Sequence, residues 1–207
     1  MIELFNGRRF PAYNVKLLST AVVAIVILLS LTMFLLPYAS AESVSPWGST
    51  TSYPSTIYAQ SCATSSGYIY CMGGNTGSGT TSAVYYAPVI STGIGTWTET
   101  TDYGAASTSD NSGSAGVATE AQSCAISSGY VYCVGGNNGS GGTSTVYYAQ
   151  VSSGGIGAWS QAKAYPISIS DQSCPAYSGY IYCVGGLPSS GNTAAANYAA
   201  LVPVTVT

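Results

Sequence analysis

The chain opens with one long apolar block. It then continues as short runs in which apolar and polar positions alternate. Leu17 to Leu36 carries no charge over twenty residues, long enough to cross a bilayer as a helix. Beyond residue 40 no helical period is visible. Apolar residues recur at every second position between clusters of Gly, Ser, Asn and Pro, the pattern of short strands joined by turns.

The strands come in a recurring unit. SCATSSGYIYCMGG, Ser61 to Gly74, returns as SCAISSGYVYCVGG, Ser123 to Gly136, and as SCPAYSGYIYCVGG, Ser173 to Gly186. A repeat of this kind decides the architecture before any single residue does. Each copy reads as a β-hairpin with a two-residue turn at Ser66-Gly67, Ser128-Gly129 or Ser178-Gly179. Gly supplies the positive φ that a tight hairpin turn needs. Counting outward from the turn, Cys62 faces Cys71, Cys124 faces Cys133 and Cys174 faces Cys183. Opposed pairs alternate between hydrogen-bonded and non-hydrogen-bonded. The cysteines fall on non-hydrogen-bonded pairs, with Cα atoms about 4.5 Å apart, within disulfide range. Three local disulfides are therefore expected. Each closes a loop of about ten residues and is worth roughly 2.5–3 kcal/mol on the chain-entropy model. Free buried cysteines and metal ligands are the alternatives. The absence of His weighs against a metal site.

After each double glycine comes a polar loop, Asn75–Thr81 or Asn137–Thr143, and then a third strand, 83–90 or 144–151. Tyr86, Tyr148 and Tyr198 each lie twelve residues beyond the second Gly. Gly-Ile-Gly-x-Trp then starts a fourth strand, placing Trp97 and Trp159 eleven beyond the tyrosine. Trp47 and Tyr53-Pro54 precede Cys62 at the spacing with which Trp159 and Tyr165-Pro166 precede Cys174. Residues 47–54 thus read as the tail of a preceding unit, an orphan fourth strand. The stretch from Ser107 to Thr119 reads as an inserted surface loop. The total is twelve strands, or three four-stranded units at a period of about 50 to 62 residues.

An apolar strand ending in Gly73-Gly74, Gly135-Gly136 or Gly185-Gly186, followed by a spaced Tyr and a spaced Trp, resembles the kelch repeat. The resemblance covers residues 47–207. It implies an all-β fold of kelch-like β-propeller blades, each of four antiparallel strands. The tyrosine-to-tryptophan gap departs from the family pattern through the inserted Gly-Ile-Gly. Ala-Gln-Ser-Cys or Asp-Gln-Ser-Cys replaces the polar or basic residues that often precede the first strand. Propellers ordinarily have four to eight blades. Three readings of the chain stay open: a fragment of a longer gene, an open or tightly closed three-blade arrangement, or a ring built by several chains.

Charge and composition narrow the function. Beyond residue 41 Lys163 is the one base, against Glu42, Glu99, Asp102, Asp110, Glu120 and Asp171. Nucleic-acid binding, which needs cations to neutralise phosphates, is excluded. Arg8, Arg9 and Lys16 flank the apolar block, which puts residues 1–16 in the cytoplasm and the repeats outside. Pro37 ends the block, residues 37–46 form a linker, and Ala39-Ser40-Ala41 reads as a cleavage site. Residues 17–36 are a transmembrane signal anchor or a signal peptide. The length of the run favours the anchor, and Arg8-Arg9-Phe10 also hints at a twin-arginine signal. In each case the repeats are exported, consistent with disulfides.

Candidate chemistry is sparse. Without His there is no Ser-His-Asp or Cys-His pair. The copper oxidase activity of some secreted kelch proteins, which uses histidines, does not carry over. Glu99 with Asp102 is the one conceivable carboxylate pair for a glycosidase, and a solvated loop is the plainer reading. Tyr68, Tyr70, Tyr130, Tyr132, Tyr180 and Tyr182 share one strand face, either as packing between neighbouring units or as a stacking surface for sugars. Trp97 and Trp159 read as core. Asn138-Gly139-Ser140 is an N-glycosylation sequon in an exposed loop. The expectation is a cell-surface or secreted, non-catalytic binding or adhesion module without a cofactor, whose partner is an extracellular protein or a glycan. A structural envelope component that self-associates is the alternative, and an exported hydrolase is a distant third.

Overall fold

The structure is a computed structural model and describes residues 22–26, 43–105 and 116–202. The chain divides into two units at Trp47. In the amino-terminal unit Val22–Val26 is helical and residues 43–47 carry no regular secondary structure. The rest of the expected 17–36 span, the cleavage site and Asp110 lie outside the described residues. Among the described residues no helix is long and apolar enough to cross a membrane.

From Gly48 onward the fold is all-β, in three antiparallel sheets. Each begins with the expected hairpin. Ser66, Ser128 and Ser178 have φ near 50° and the glycines that follow them near 80°. With both central residues left-handed, the turns match the right-handed strand twist. In the first sheet β1 (Ser61–Ser65) pairs with β2 (Tyr68–Met72), and Cys62 faces Cys71. In the second, β6 (Ser123–Ser127) pairs with β7 (Tyr130–Val134), and Cys124 faces Cys133. The disulfides Cys62–Cys71, Cys124–Cys133 and Cys174–Cys183 are all formed, with Cα atoms 4.1, 4.0 and 4.1 Å apart. Bonds of this kind belong to an oxidising compartment.

The third strands follow as expected. They are β3 (Val84–Ile90), β8 (Val146–Ser152) and β13 (Ala196–Ala200). They set Tyr86 opposite Tyr70, Tyr148 opposite Tyr132 and Tyr198 opposite Tyr182.

Four expectations need correction. First, the fourth strands are not continuous. Each is two short pieces, β4 (Gly93–Ile94) with β5 (Thr98–Glu99), and β9 (Gly155–Ile156) with β10 (Ser160–Gln161). Ile94 faces Val89 while Thr98 faces Tyr86, so Gly95, Thr96 and Trp97 oppose only Ala87 and Pro88. One extra residue therefore lies within Gly95–Trp97, a β-bulge just after the paired Gly93–Ile94. Second, the first strand of the third sheet is cut to β11 (Ala176–Tyr177), beside β12 (Tyr180–Val184). Pro175 has no N–H. It accepts a bond from the Tyr182 amide (3.0 Å) but returns none. Third, no strand forms over residues 47–54; Thr50 and Thr51 instead bond across to Ile94 of the first sheet. Fourth, the end of the expected surface loop is structural: Thr119 is buried, and its carbonyl accepts from Gly74 N (2.8 Å).

The sheets stand in a row, with β1 beside β6 and β6 beside β11. One core fills the joint between the first and second sheets, from Tyr70, Met72 and Val84 to Val131, Cys133, Ile156 and Trp159. A second core fills the next joint, around Val134, Ile169, Ile181 and Cys183.

Candidate functional site

Two regions are built well enough to carry function: the rim of polar loops after the double glycines, and the joints between sheets.

The rim starts at glycines whose backbone only Gly adopts freely. Gly73 and Gly74 have φ of 60° and 107°, and a Cβ on Gly73 would collide with the Thr119 carbonyl and the Gln122 amide. The loops that follow are held by their own asparagines. Asn75 Oδ1 accepts from Gly77 N and Asn137 Oδ1 from Gly139 N, each at 2.8 Å. Across each loop, Thr76 N donates to Gly79 O (3.1 Å) and Asn138 N to Gly141 O (3.2 Å). Thr80 Oγ1 lies within 3.7 Å of where a Gly139 Cβ would stand, so the first two loops are neighbours. Asn138 is exposed, and its Oδ1 accepts from Ser140 N (3.0 Å). The result is a preformed edge rich in hydroxyl and amide groups, carried by rigid strands.

The joints use one clasp twice. Gln122 Nε2 donates to Met72 O (2.7 Å), and Gln172 Nε2 donates to Val134 O (2.6 Å). Cys124 N donates to Ser61 Oγ (2.9 Å), and Cys174 N to Ser123 Oγ (2.8 Å). Ala121 N reaches Ala59 O (2.8 Å), and Asp171 N reaches Ala121 O (3.0 Å). These three bonds are the work of the Ala/Asp-Gln-Ser-Cys tetrapeptide. In the sequence it is a departure from the kelch pattern that the repeats resemble. Its threefold recurrence was the signal that it had a task of its own.

At the outer edge a second device repeats. Thr100 Oγ1 accepts from Ile156 N (3.0 Å), Thr101 Oγ1 donates to Ile156 O (2.7 Å), and Trp159 Nε1 donates to Thr101 O (3.4 Å). Tyr103 stands edge-on to both Tyr147 and Trp159, with centroids 5.4 and 5.0 Å away. Thr50, Thr51 and Tyr53 treat Ile94, Trp97 and Tyr85 in the same way. Burial raises the pKa of Tyr53 to about 12, helped by Tyr85 and Glu99. Burial also raises that of Tyr103, with Tyr147 adding to it. Trp159 is core, 3 % exposed, whereas Trp97 is only half-buried, contrary to expectation.

The tyrosine faces divide by position in the row. Tyr70 is 1 % exposed, stacks on Tyr86 and donates its hydroxyl to Ser152 O (2.7 Å) in the second sheet. Tyr132 stacks likewise on Tyr148. In the third sheet Tyr182 stacks on Tyr198 in the same geometry, but they are 39 % and 73 % exposed. Between the second and third sheets lies a cleft of about 540 Å³, lined by Tyr132, Val146, Tyr165, Ile181, Asn197 and Leu201 among others. Lys163 lies exposed at its edge, and no carboxylate lines it.

The carboxylates do not assemble into a catalytic pair in this cleft. Asp102 accepts from Ser82 Oγ (3.0 Å), and Glu99 is exposed on β5. Among the described residues no group of three His, Cys, Asp or Glu side chains is placed to hold a metal ion.

No family model matches the sequence, and no curated protein does. The fold does match solved structures. One, titled "Structure of YjhT", superposes with a TM-score of 0.52 at 11 % identity, over 76 % of this chain and 44 % of that one. The chain therefore spans less than half the length of that protein.

Proposed function

We propose that this chain is an exported kelch-type propeller segment that acts as a non-catalytic binding or adhesion module. Its sheets are read as blades, and its contact surface as the rim formed by Asn75–Thr81 and Asn137–Thr143. It is held at the membrane by residues 17–36 or released by cleavage after Ala41. The observation that carries the reading is the repeated loop geometry. Two adjacent loops present exposed Thr, Ser, Asn and backbone groups in the same conformation, each fixed by an asparagine cap. Preformed polar loops on a rigid scaffold lose little entropy on binding. Their hydroxyl and amide groups suit a neutral, hydrogen-bonding partner such as a glycan.

The test is binding of the full chain, purified in detergent with its disulfides intact, to an array of glycans and matrix proteins. Saturable binding that falls about tenfold or more in the Thr76→Ala/Ser78→Ala/Asn138→Ala variant is expected, as for a contact made by a few anchor groups. Binding unaffected by that variant, or no binding, overturns the reading. A structural envelope role is the second reading. It is favoured by the exposed tyrosines of the third sheet, which match buried ones in the first.

A further inference from the structure

We propose that Asn138 is glycosylated on its side-chain nitrogen, from a polyprenyl-diphosphate-linked oligosaccharide, and that Asn137 is the residue that positions it. This inference does not depend on what the loops bind.

The acceptor is built into the second rim loop. No asparagine other than Asn138 has Ser or Thr two residues further on. Asn138, Gly139 and Ser140 are all exposed. The central residue is a glycine with φ of 85°, and among the described residues a Cβ there would meet only Thr80 Oγ1, at 3.7 Å. No side chain therefore crowds the middle of the sequon. The Ser140 amide donates to Asn138 Oδ1 (3.0 Å). This Asx-turn engages the oxygen of the carboxamide, leaves its nitrogen, and draws the side chain toward the residue that carries the hydroxyl. A transferase that reads both groups meets them together.

The turn is local. Asn138 N donates to Gly141 O (3.2 Å) and Thr143 N to Gly136 O (2.8 Å), so the loop closes on itself between residues 136 and 143. It directly follows the hairpin of Cys124 and Cys133. The acceptor geometry is therefore available as soon as that hairpin forms, in the same oxidising compartment.

Asn137 gives the turn its chemistry. In an Asn-Gly pair a free glycine nitrogen attacks the asparagine Cγ. Ammonia leaves, and the succinimide opens with water to aspartate or isoaspartate. Here the Gly139 amide is held, donating to Asn137 Oδ1 (2.8 Å). Asn137 thus fixes the turn and withholds the nitrogen that would destroy the acceptor. The first loop supplies the contrast. Asn75 Oδ1 accepts from Gly77 N in the same way (2.8 Å), but Thr76 stands in the place of Asn138. The loop geometry is shared, and the acceptor belongs to the second loop alone.

The transfer balances simply. Asn138 Nδ2 bonds to the anomeric carbon, the bond from that carbon to the diphosphate oxygen breaks, the lipid diphosphate departs, and one Nδ2 proton passes to a base on the transferase. The sugar then stands beside Thr80 of the first loop, adding bulk and solubility to the rim.

The test is peptide mapping by mass spectrometry of the full chain isolated from the cells that make it. Its three intact disulfides prove that it reached the oxidising compartment. A sugar mass on Asn138, located by fragmentation, is expected. An unmodified Asn138 in disulfide-bonded protein overturns the proposal. Ser140→Ala should abolish the modification and Ser140→Thr should keep it; a sugar on Asn138 that survives Ser140→Ala overturns its recognition as a sequon. Asn137→Ala should lower occupancy about fivefold, the population shift that one lost hydrogen bond allows. Isoaspartate should also appear at position 138 of the unmodified fraction during incubation at neutral pH. Asn75→Ala removes the same cap from the first loop and should do neither. Unchanged occupancy without isoaspartate in Asn137→Ala, or equal losses in both variants, overturns the role given to Asn137.

Discussion

Tyr53 and Tyr103 hold equivalent positions at successive joints, and burial shifts both hydroxyls upward. A tyrosine is neutral below its pKa. A folded-state value raised above the ordinary value of about 10 therefore adds stability that is complete below that pH. The stability is lost as pH climbs through the folded value, about 12 for Tyr53. Ultraviolet titration should show a delayed class of tyrosines, and thermal stability should fall steeply above pH ~10. The glycines offer a sharper test. Gly73→Ala meets both a positive φ and backbone in the way, whereas Gly67→Ala meets a positive φ in open space. Denaturant unfolding should show a loss of about 3 kcal/mol or more for the first and about 1 kcal/mol for the second. Both glycines were legible in the sequence as punctuation. Their different burdens were not, because what crowds Gly73 is Thr119 and Gln122, far along the chain. Gln122 gave no signal in the alternation of apolar and polar positions; only the recurrence of its tetrapeptide marked it.

The hairpin is the element that sequence defines best. Turn residues, alternation and cysteine spacing all act over a dozen residues, so local rules suffice to give Cys124 opposite Cys133. Replacing this pair by alanine should cost roughly 2.5–3 kcal/mol in chemical unfolding. The fourth strand is the opposite case. Its β-bulge was hidden because one extra residue against the partner strand is invisible until the partner is known. Pro175 was plain to see, yet its cost to β11 follows only from which Tyr182 group it faces. Hydrogen exchange should be faster at the start of the third sheet than over β1 or β6, since that edge lacks a ladder bond.

At the scale of the molecule, three sheets stand in a row, joined through β1, β6 and β11. Their number and order were readable from the repeat. That Tyr132, Tyr165 and Ile181 line one cleft was not readable, since it depends on which walls face each other. Exposed Tyr182 contributes little to its own sheet's core. Tyr182→Glu should therefore leave the melting temperature of dilute protein nearly unchanged. A large fall in melting temperature at low concentration would show that the residue supports the isolated chain instead.

The confinement of each disulfide to one hairpin bears on how the protein is made. In a chain exported amino terminus first, partners nine residues apart would emerge almost together. Each pair meets before the next cysteine has arrived, so oxidation in order of emergence gives the native pairing without reshuffling. The first hairpin is locked before the second is exposed, and the growing row always offers a finished edge on which the next sheet assembles.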